Sequence, residues 1–302
     1  MQSILETLPR AARVTVIRLR SMGDCVLTTP AIHILKIARP DLRIAVVVEE
    51  RFRGVFEDNS DVEALLAPDY SAIWRWRPTL CLNLHGGARS AGLTGFSGAR
   101  LRAGFGHFRY AWLYNIHIPR AQQILGEERT VHTAEHLASA MFYLGAPRIP
   151  IPRARLFAEI APDSGPYAAI HPFASAASKS WRSEGFGRVA DHLRQSGLEP
   201  VIIGGPADDF TPFGGCRSVC GAPLSKLKAL IRGASMFVGN DSGPAHIAAA
   251  FGVPVVVLFG SSDPAIWGPW QTSCEVLASP NGIAGITEVR VLEALERVRV
   301  HA

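Results

Sequence analysis

Four stretches of the chain carry side chains that could do chemistry. In Arg20-Ser-Met-Gly-Asp-Cys25, Gly23 permits a tight turn and Asp24 falls near the start of a helix. A carboxylate there can take a proton from a bound hydroxyl, or it can cap the helix. In Gly239-Asn-Asp-Ser-Gly-Pro-Ala-His246, Asp241 or Ser242 can cap a helix and Pro244 suits its first turn. The amides of such a helix start, with the helix dipole, suit a phosphate. His246 reads either as a ligand contact or as a packed helix residue. In His171-Pro-Phe-Ala-Ser-Ala-Ala-Ser-Lys-Ser-Trp181, small residues let a ligand approach the backbone, and Ser175 and Ser178 can bond phosphate oxygens. Lys179 is either a solvated surface lysine or, with the helix start near Asp241, half of a pyrophosphate clamp. The fourth stretch, residues 70–126, holds seven arginines and no acid, which points to an anionic partner or to a solvated face.

These side chains must be carried by something. The first half alternates a β-branched run at 13–19, a helical pattern at 26–37, and buried strands at 44–48 and 80–84, the pattern of parallel βαβ units. The second half repeats it, with strands at 167–170, 200–203, 236–238 and 253–259. Helices fall at 184–196, 224–232, 244–251 and 287–299. Residues 149–166 hold four prolines and read as the linker. The predicted organisation is a first domain over 1–152, a second over 153–286 and a closing helix over 287–302. Two doubly wound domains imply a cleft between them, with ligands beyond the carboxyl ends of the strands. The chemistry is therefore expected at 20–25, 85–92, 171–181, 204–209 and 239–246.

Composition narrows the class. The 302 residues are 48% hydrophobic and 19% charged, which excludes a disordered chain, and Gly and Pro show no collagen-like period. Five scattered cysteines do not make a secreted disulfide framework. The start reads as no signal peptide, and the apolar stretch 243–260 is broken by Pro244, His246, Gly252 and Pro254. A cytoplasmic protein is expected. The net charge of +5 lies wholly in residues 1–152, where 18 Lys and Arg face 13 Asp and Glu. No P-loop, H-E-x-x-H, CxxC pair or G-x-G-x-x-G is present, which argues against a dinucleotide dehydrogenase.

In combination the motifs resemble glycosyltransferase family 9, the ADP-heptose:lipopolysaccharide heptosyltransferases. The resemblance rests on Val16-Ile-Arg-Leu-Arg-Ser-Met-Gly-Asp-Cys-Val-Leu-Thr-Thr-Pro-Ala31, Val48-Glu-Glu-Arg-Phe52 and Gly104-Phe-Gly-His-Phe-Arg-Tyr-Ala-Trp-Leu-Tyr-Asn115. Further along it rests on His171-Pro with Lys179-x-Trp181 and Phe186, on Gly239-Asn-Asp-Ser-Gly-Pro-Ala-His-Ile-Ala-Ala-Ala250, and on Leu258-Phe-Gly-x-x-Asp-Pro264. It implies an α/β fold of the GT-B type, two Rossmann-like domains facing an interdomain cleft, with acceptor on the first and nucleotide sugar on the second. It also implies inverting transfer of heptose from ADP-heptose to an inner-core lipopolysaccharide acceptor, with no catalytic metal and no other cofactor. Asp24 then matches the general base and Lys179 the phosphate-contacting lysine. Ser175, Ser178, Asp241, Ser242, Gly243 and His246 become donor contacts, and Arg20, Ser21, Arg75 and Arg109 become expected acceptor contacts. The closing helix commonly crosses back onto the first domain in this fold. The implied setting is the cytoplasmic face of the inner membrane, in peripheral contact with it and without nucleic acid.

Where the family often has an acidic ribose contact after the strand ending near 203, this chain has Gly204-Gly-Pro-Ala-Asp-Asp209, and the ribose contact stays unassigned. Two other readings share the fold: a nucleotide-sugar 2-epimerase, which needs no acceptor, and a non-catalytic paralogue that keeps the nucleotide-sugar site. The basic first half argues against the one, and the intact Asp24, Lys179 and Asp241 against the other.

Overall fold

The computed structural model describes residues 3–159 and 165–300. The chain divides into two compact units at Phe157/Ala158, five residues beyond the join expected at 152/153. Part of the proline-bearing linker, residues 160–164, lies outside the described residues.

The first unit is a parallel sheet of β1 (Arg13–Ile17), β2 (Arg43–Val47), β3 (Ala64–Leu66), β4 (Leu80–Asn83), β5 (Leu101–Phe105) and β6 (Ile116–Ile118). Its strand order is β3-β2-β1-β4-β5-β6. Helices α1 (Met22–Ala38), α2 (Tyr70–Trp76), α3 (Ala88–Gly95), α4 (Ala121–Leu125) and α5 (Thr133–Leu144) connect and cover it. Successive residues Ile44, Ala45, Val46 and Val47 of β2 and Leu80, Cys81 and Leu82 of β4 are all fully buried, so these central strands are unbroken apolar runs rather than alternating ones. That is how strands covered on both faces read.

Helix α1 begins at Met22, a turn earlier than its apolar spacing suggests. The cause is a capping box. Ser21 holds the N-cap, and its backbone N–H and hydroxyl donate to Asp24 Oδ2 at 3.2 and 3.0 Å. The helix also absorbs Pro30. Pro30 has no N–H to give to the Val26 carbonyl, and the Thr29 hydroxyl donates to that oxygen instead at 2.8 Å.

The second unit repeats the topology. Its strands are β7 (Tyr167–His171), β8 (Glu199–Gly204), β9 (Arg217–Cys220), β10 (Met236–Asn240), β11 (Val255–Leu258) and β12 (Cys274–Leu277). They pair in parallel in the order β12-β11-β10-β7-β8-β9. The helices are α6 (Ser183–Gln195), α7 (Leu224–Gly233), α8 (Gly243–Phe251), α9 (Pro264–Trp267) and α10 (Glu288–Val300). The short elements β3, β6, β9, β12 and α9 carry too little periodicity to be read from sequence. Helix α10 belongs to this second unit. Its Val291, Ala294, Leu295 and Val298 are buried in the same core as Phe186, Val189 and Leu193 of α6. The stretch set apart over 287–302 thus packs, as far as it is described, as a layer of the second unit.

Each sheet reverses direction of growth once, between β1 and β4 in the first and between β7 and β10 in the second. The carboxyl ends of such strand pairs open a crevice that the connecting helices cannot cover. The loops after β1 and β4, and those after β7 and β10, are thus where each unit can hold a ligand.

Candidate active site

The first unit places Arg18, Arg20 and Ser21 on the loop after β1, Asp24 in the first turn of α1, and His85 on the loop after β4. Asp24 is held on three sides. Ser21 donates twice to Oδ2, and the Arg18 guanidinium lies 3.5 Å from Oδ1. Asp24 is thus both helix cap and candidate base, two roles the sequence left as alternatives. Arg18 is buried, which pushes its guanidinium below its ordinary value, while the Asp24 charge opposes that shift. The guanidinium fixes the direction in which the facing carboxylate points.

His85 is a residue the sequence reading did not single out. Burial first, then the Arg18 charge, pushes its imidazole below the ordinary value, so it is neutral at physiological pH. Its Nδ1 is buried with no hydrogen-bond partner. The loop that carries it is pinned by Asn83, the last residue of β4, which is fully buried. Asn83 Oδ1 accepts from the N–H groups of His85 and Gly86 at 2.9 and 3.1 Å, and its Nδ2 donates to Tyr114 Oη at 2.9 Å. Gly86 has φ +84°, and a Cβ there would fall 2.8 Å from the Phe108 ring, so the close approach requires glycine.

The expected acceptor residues are not gathered together. Arg20 and Ser21 are exposed beside Asp24. Arg109 is exposed in the loop after β5, over the Tyr110 ring at 5.5 Å, and so lies along the same sheet edge. Arg75 lies near the end of α2. The next residue, Trp76, accepts from Arg13 at the start of β1, so Arg75 sits at the opposite, amino edge. The fold does not bring it to Asp24.

In the second unit the loops after β7 and β10 interlock. Lys179 Nζ donates to Asp241 Oδ2 at 2.9 Å, and Ser262 Oγ donates to the same oxygen. The Asp241 side chain is 8% exposed and that of Lys179 is 30% exposed. Ser178 and Ser261 hydroxyls meet at 3.1 Å, while Ser175 is exposed. Ser242 occupies the N-cap of α8 but makes no capping bond. Its hydroxyl instead meets His171 Nδ1 at 3.1 Å. Burial pushes His171 down to about 4, so it is neutral when it does so. Gly243 opens α8, and His246 is buried within it. Asp208 folds back locally, its carboxylate accepting from Gly205 N–H at 2.7 Å.

Three further residues build this site. Asn240 ends β10 fully buried, as Asn83 ends β4. Its Oδ1 accepts from Trp181 N–H at 3.1 Å, and its Nδ2 donates to the Pro172 carbonyl at 2.8 Å, tying the two loops together. Gly260 lets the loop after β11 lie against residues 178–179, since a Cβ there would fall 1.9 Å from the Ser178 carbonyl oxygen. Ser262 is the third. The readable signal was an asparagine closing an otherwise apolar strand, a buried polar group that must have partners.

Chemically, the first unit offers a fixed carboxylate with a neutral imidazole nearby. The second offers an ammonium, several hydroxyls and the start of a nine-residue helix, a set suited to phosphate oxygens.

Known proteins are similar to this chain in sequence and in fold. The profile of glycosyltransferase family 9 (heptosyltransferase) matches residues 76–288. Lipopolysaccharide heptosyltransferase 3 of Escherichia coli K12 is 29% identical over 289 residues, covering 83% of each chain. Among solved structures, a family 9 glycosyl transferase from Veillonella parvula superposes with a TM-score of 0.86 at 22% identity, over 97% of this chain and 98% of that one. The Escherichia coli heptosyltransferase WaaC, solved with ADP, gives 0.80 at 20% identity, over 95% and 99%. The fold class is that of these GT-B structures.

Proposed function

The chain belongs to glycosyltransferase family 9, the heptosyltransferases, and we propose that it moves heptose from ADP-heptose to an inner-core lipopolysaccharide acceptor with inversion at the anomeric carbon. The observation that carries this reading is the Lys179–Asp241–Ser262 constellation beside the start of α8. A family relative solved with ADP supports the choice of nucleotide.

In the proposed reaction the acceptor hydroxyl oxygen forms a bond to the anomeric carbon as the bond from that carbon to the diphosphate oxygen breaks. Asp24 takes the hydroxyl proton, a contribution typically of about 10²–10⁴-fold. Arg18 and Ser21 hold the carboxylate in one direction, so little reorganisation is needed. The departing ADP gathers negative charge, and Lys179 with the amides of α8 stabilises it. Among the described residues no group of three His, Cys, Asp or Glu side chains is arranged to hold a metal ion. We read the transfer as metal-independent, with Lys179 supplying the cationic charge. Among the described residues no helix is long and apolar enough to cross a membrane. The acid-free arginine stretch over residues 70–126 supports peripheral work at the cytoplasmic face of the inner membrane.

The test is a binding titration with ADP, UDP and GDP, followed by transfer assays with ADP-heptose. ADP-selective binding and transfer are the expected result. Preference for UDP or GDP would overturn the donor. Epimerisation of a nucleotide sugar without acceptor would overturn the transferase reading.

A further inference from the structure

Large hydrophobic side chains that stay in water usually mark a surface with a partner. Four of the eight that are exposed among the described residues gather on α2, α3 and the loop after β5. Tyr70 is 49% exposed, Trp74 and Phe96 are each 62% exposed, and Trp112 is 75% exposed. Tyr70 and Phe96 meet edge to face at 6.3 Å. The Trp74 indole N–H donates to the Phe96 carbonyl, which ties α2 to the end of α3. Trp112 joins the group through its neighbour. Leu113 packs so closely on Gly95, the residue before Phe96, that a Cβ there would fall 2.9 Å from it.

Arginines surround this patch. Arg75 lies on α2. Arg77 and Trp74 line a shallow cavity of about 290 Å³ together with Pro78, Ser97 and Gly98. Arg100 is exposed two residues beyond Gly98. The nearest acid along the chain is Asp69 at the N-cap of α2. Its carboxylate is taken up by Ala72 N–H at 2.8 Å and Ser71 Oγ at 2.7 Å. Rings with an apolar body and a polar edge, flanked by arginines, match the headgroup zone of a bilayer with negative charge.

We propose that the face formed by Tyr70, Trp74, Phe96 and Trp112, with Arg77 and Arg100, docks this protein on an anionic lipid leaflet. The aromatic rings sit at headgroup depth and the guanidinium groups pair with lipid phosphates. Each arginine held near such a surface raises partitioning by roughly fivefold. The inference rests on the reading that the acceptor is carried in a membrane, and it names the surface that meets that membrane.

The experiment is sedimentation of the full chain with vesicles, either pure phosphatidylcholine or phosphatidylcholine rich in phosphatidylglycerol, with ADP binding measured on the same samples. The wild type should sediment with the anionic vesicles and not the neutral ones, and added salt should release it. Phe96→Ser with Trp112→Ser should weaken vesicle binding at least tenfold, and Arg100→Glu should weaken it severalfold. Both variants should keep wild-type circular dichroism and ADP affinity. Wild-type chain that binds ADP but ignores anionic vesicles overturns the docking face and leaves the transferase reading standing. Vesicle binding without ADP binding does the reverse. A concentration-dependent dimer that Phe96→Ser with Trp112→Ser abolishes, with vesicle binding unchanged, makes the patch a contact between two copies and also overturns the proposal.

Discussion

Replacing Gly260 by alanine tests whether the interlocking of the second-unit loops sets the donor site. The added Cβ would lie 1.9 Å from the Ser178 carbonyl oxygen and 3.0 Å from Lys179 Cα. A tolerable C···O contact is about 3.3 Å, so one loop must move by about 1.4 Å. The obstacle is backbone, which cannot rotate away as a long side chain can. If residues 177–179 give way, the Lys179–Asp241 bond of 2.9 Å is lost. If the loop after β11 gives way, Ser262 leaves Asp241. Either movement removes a charge-assisted bond, each of about 1.5–3 kcal/mol, or roughly 10–100-fold in ADP affinity. Overpacking strain adds about 1–2 kcal/mol of instability, a fall of about 2–8 °C in Tm. Isothermal titration with ADP and a thermal melt read both quantities. Gly187 in α6 is the control, since a Cβ there meets nothing within 4 Å, and Gly187→Ala should leave binding alone and hold or raise Tm. Gly260→Ala with ADP affinity within twofold of wild type and an unchanged melt would refute the reasoning.

Three other outcomes follow from the same geometry. Asp24→Asn keeps the side-chain shape and loses the proton acceptor. Transfer should fall about 10²–10⁴-fold while ADP affinity holds, and retention of a tenth of the activity in a transfer assay would remove Asp24 from the role of base. Lys179→Met should weaken ADP binding about 10–100-fold and lower stability by about 1–2 kcal/mol, because Asp241 is left 8% exposed with Ser262 alone. Adding Asp241→Asn should restore the stability in a urea melt but not the affinity. The third concerns pH. Burial holds both His136 and His171 down to about 4, against an ordinary value of 6.5. The unfolded chain therefore binds these protons first, and stability should fall as pH drops from about 6.5 towards 4, by roughly 3 kcal/mol per histidine. His136 stacks on Phe105 at 4.0 Å, so His136→Phe should flatten the dependence of Tm on pH by about half, and an unchanged slope would contradict the assignment.

Much of the architecture was determined locally. The valine and isoleucine runs at 13–17, 43–47, 199–204 and 255–258 can only be strands covered on both faces. Intervening helical patterns force parallel pairing, and the glycine-bearing turns mark where catalytic loops must fall. Asp24, Lys179 and Asp241 were legible as candidates because they fall in or beside loops after strands and match motifs of the family the chain resembles. What a spacing cannot express is contact between distant segments. Asp24 reads as cap or base, and only the approach of Arg18 and Ser21 shows that one side chain is both the cap and a carboxylate fixed in direction. Lys179 and Asp241 lie 62 residues apart, and no pattern links them until β7 and β10 become neighbours in the sheet. Arg75 belonged to the right composition but lies on the wrong edge, because a helix returns the chain to the start of the sheet before β4. His85, Asn83, Asn240 and Gly260 carry their roles through burial and close packing, which depend on what lies opposite rather than on what lies alongside. The sequence by itself determined which elements form and which loops can react; the order of strands in each sheet decided which of those loops meet.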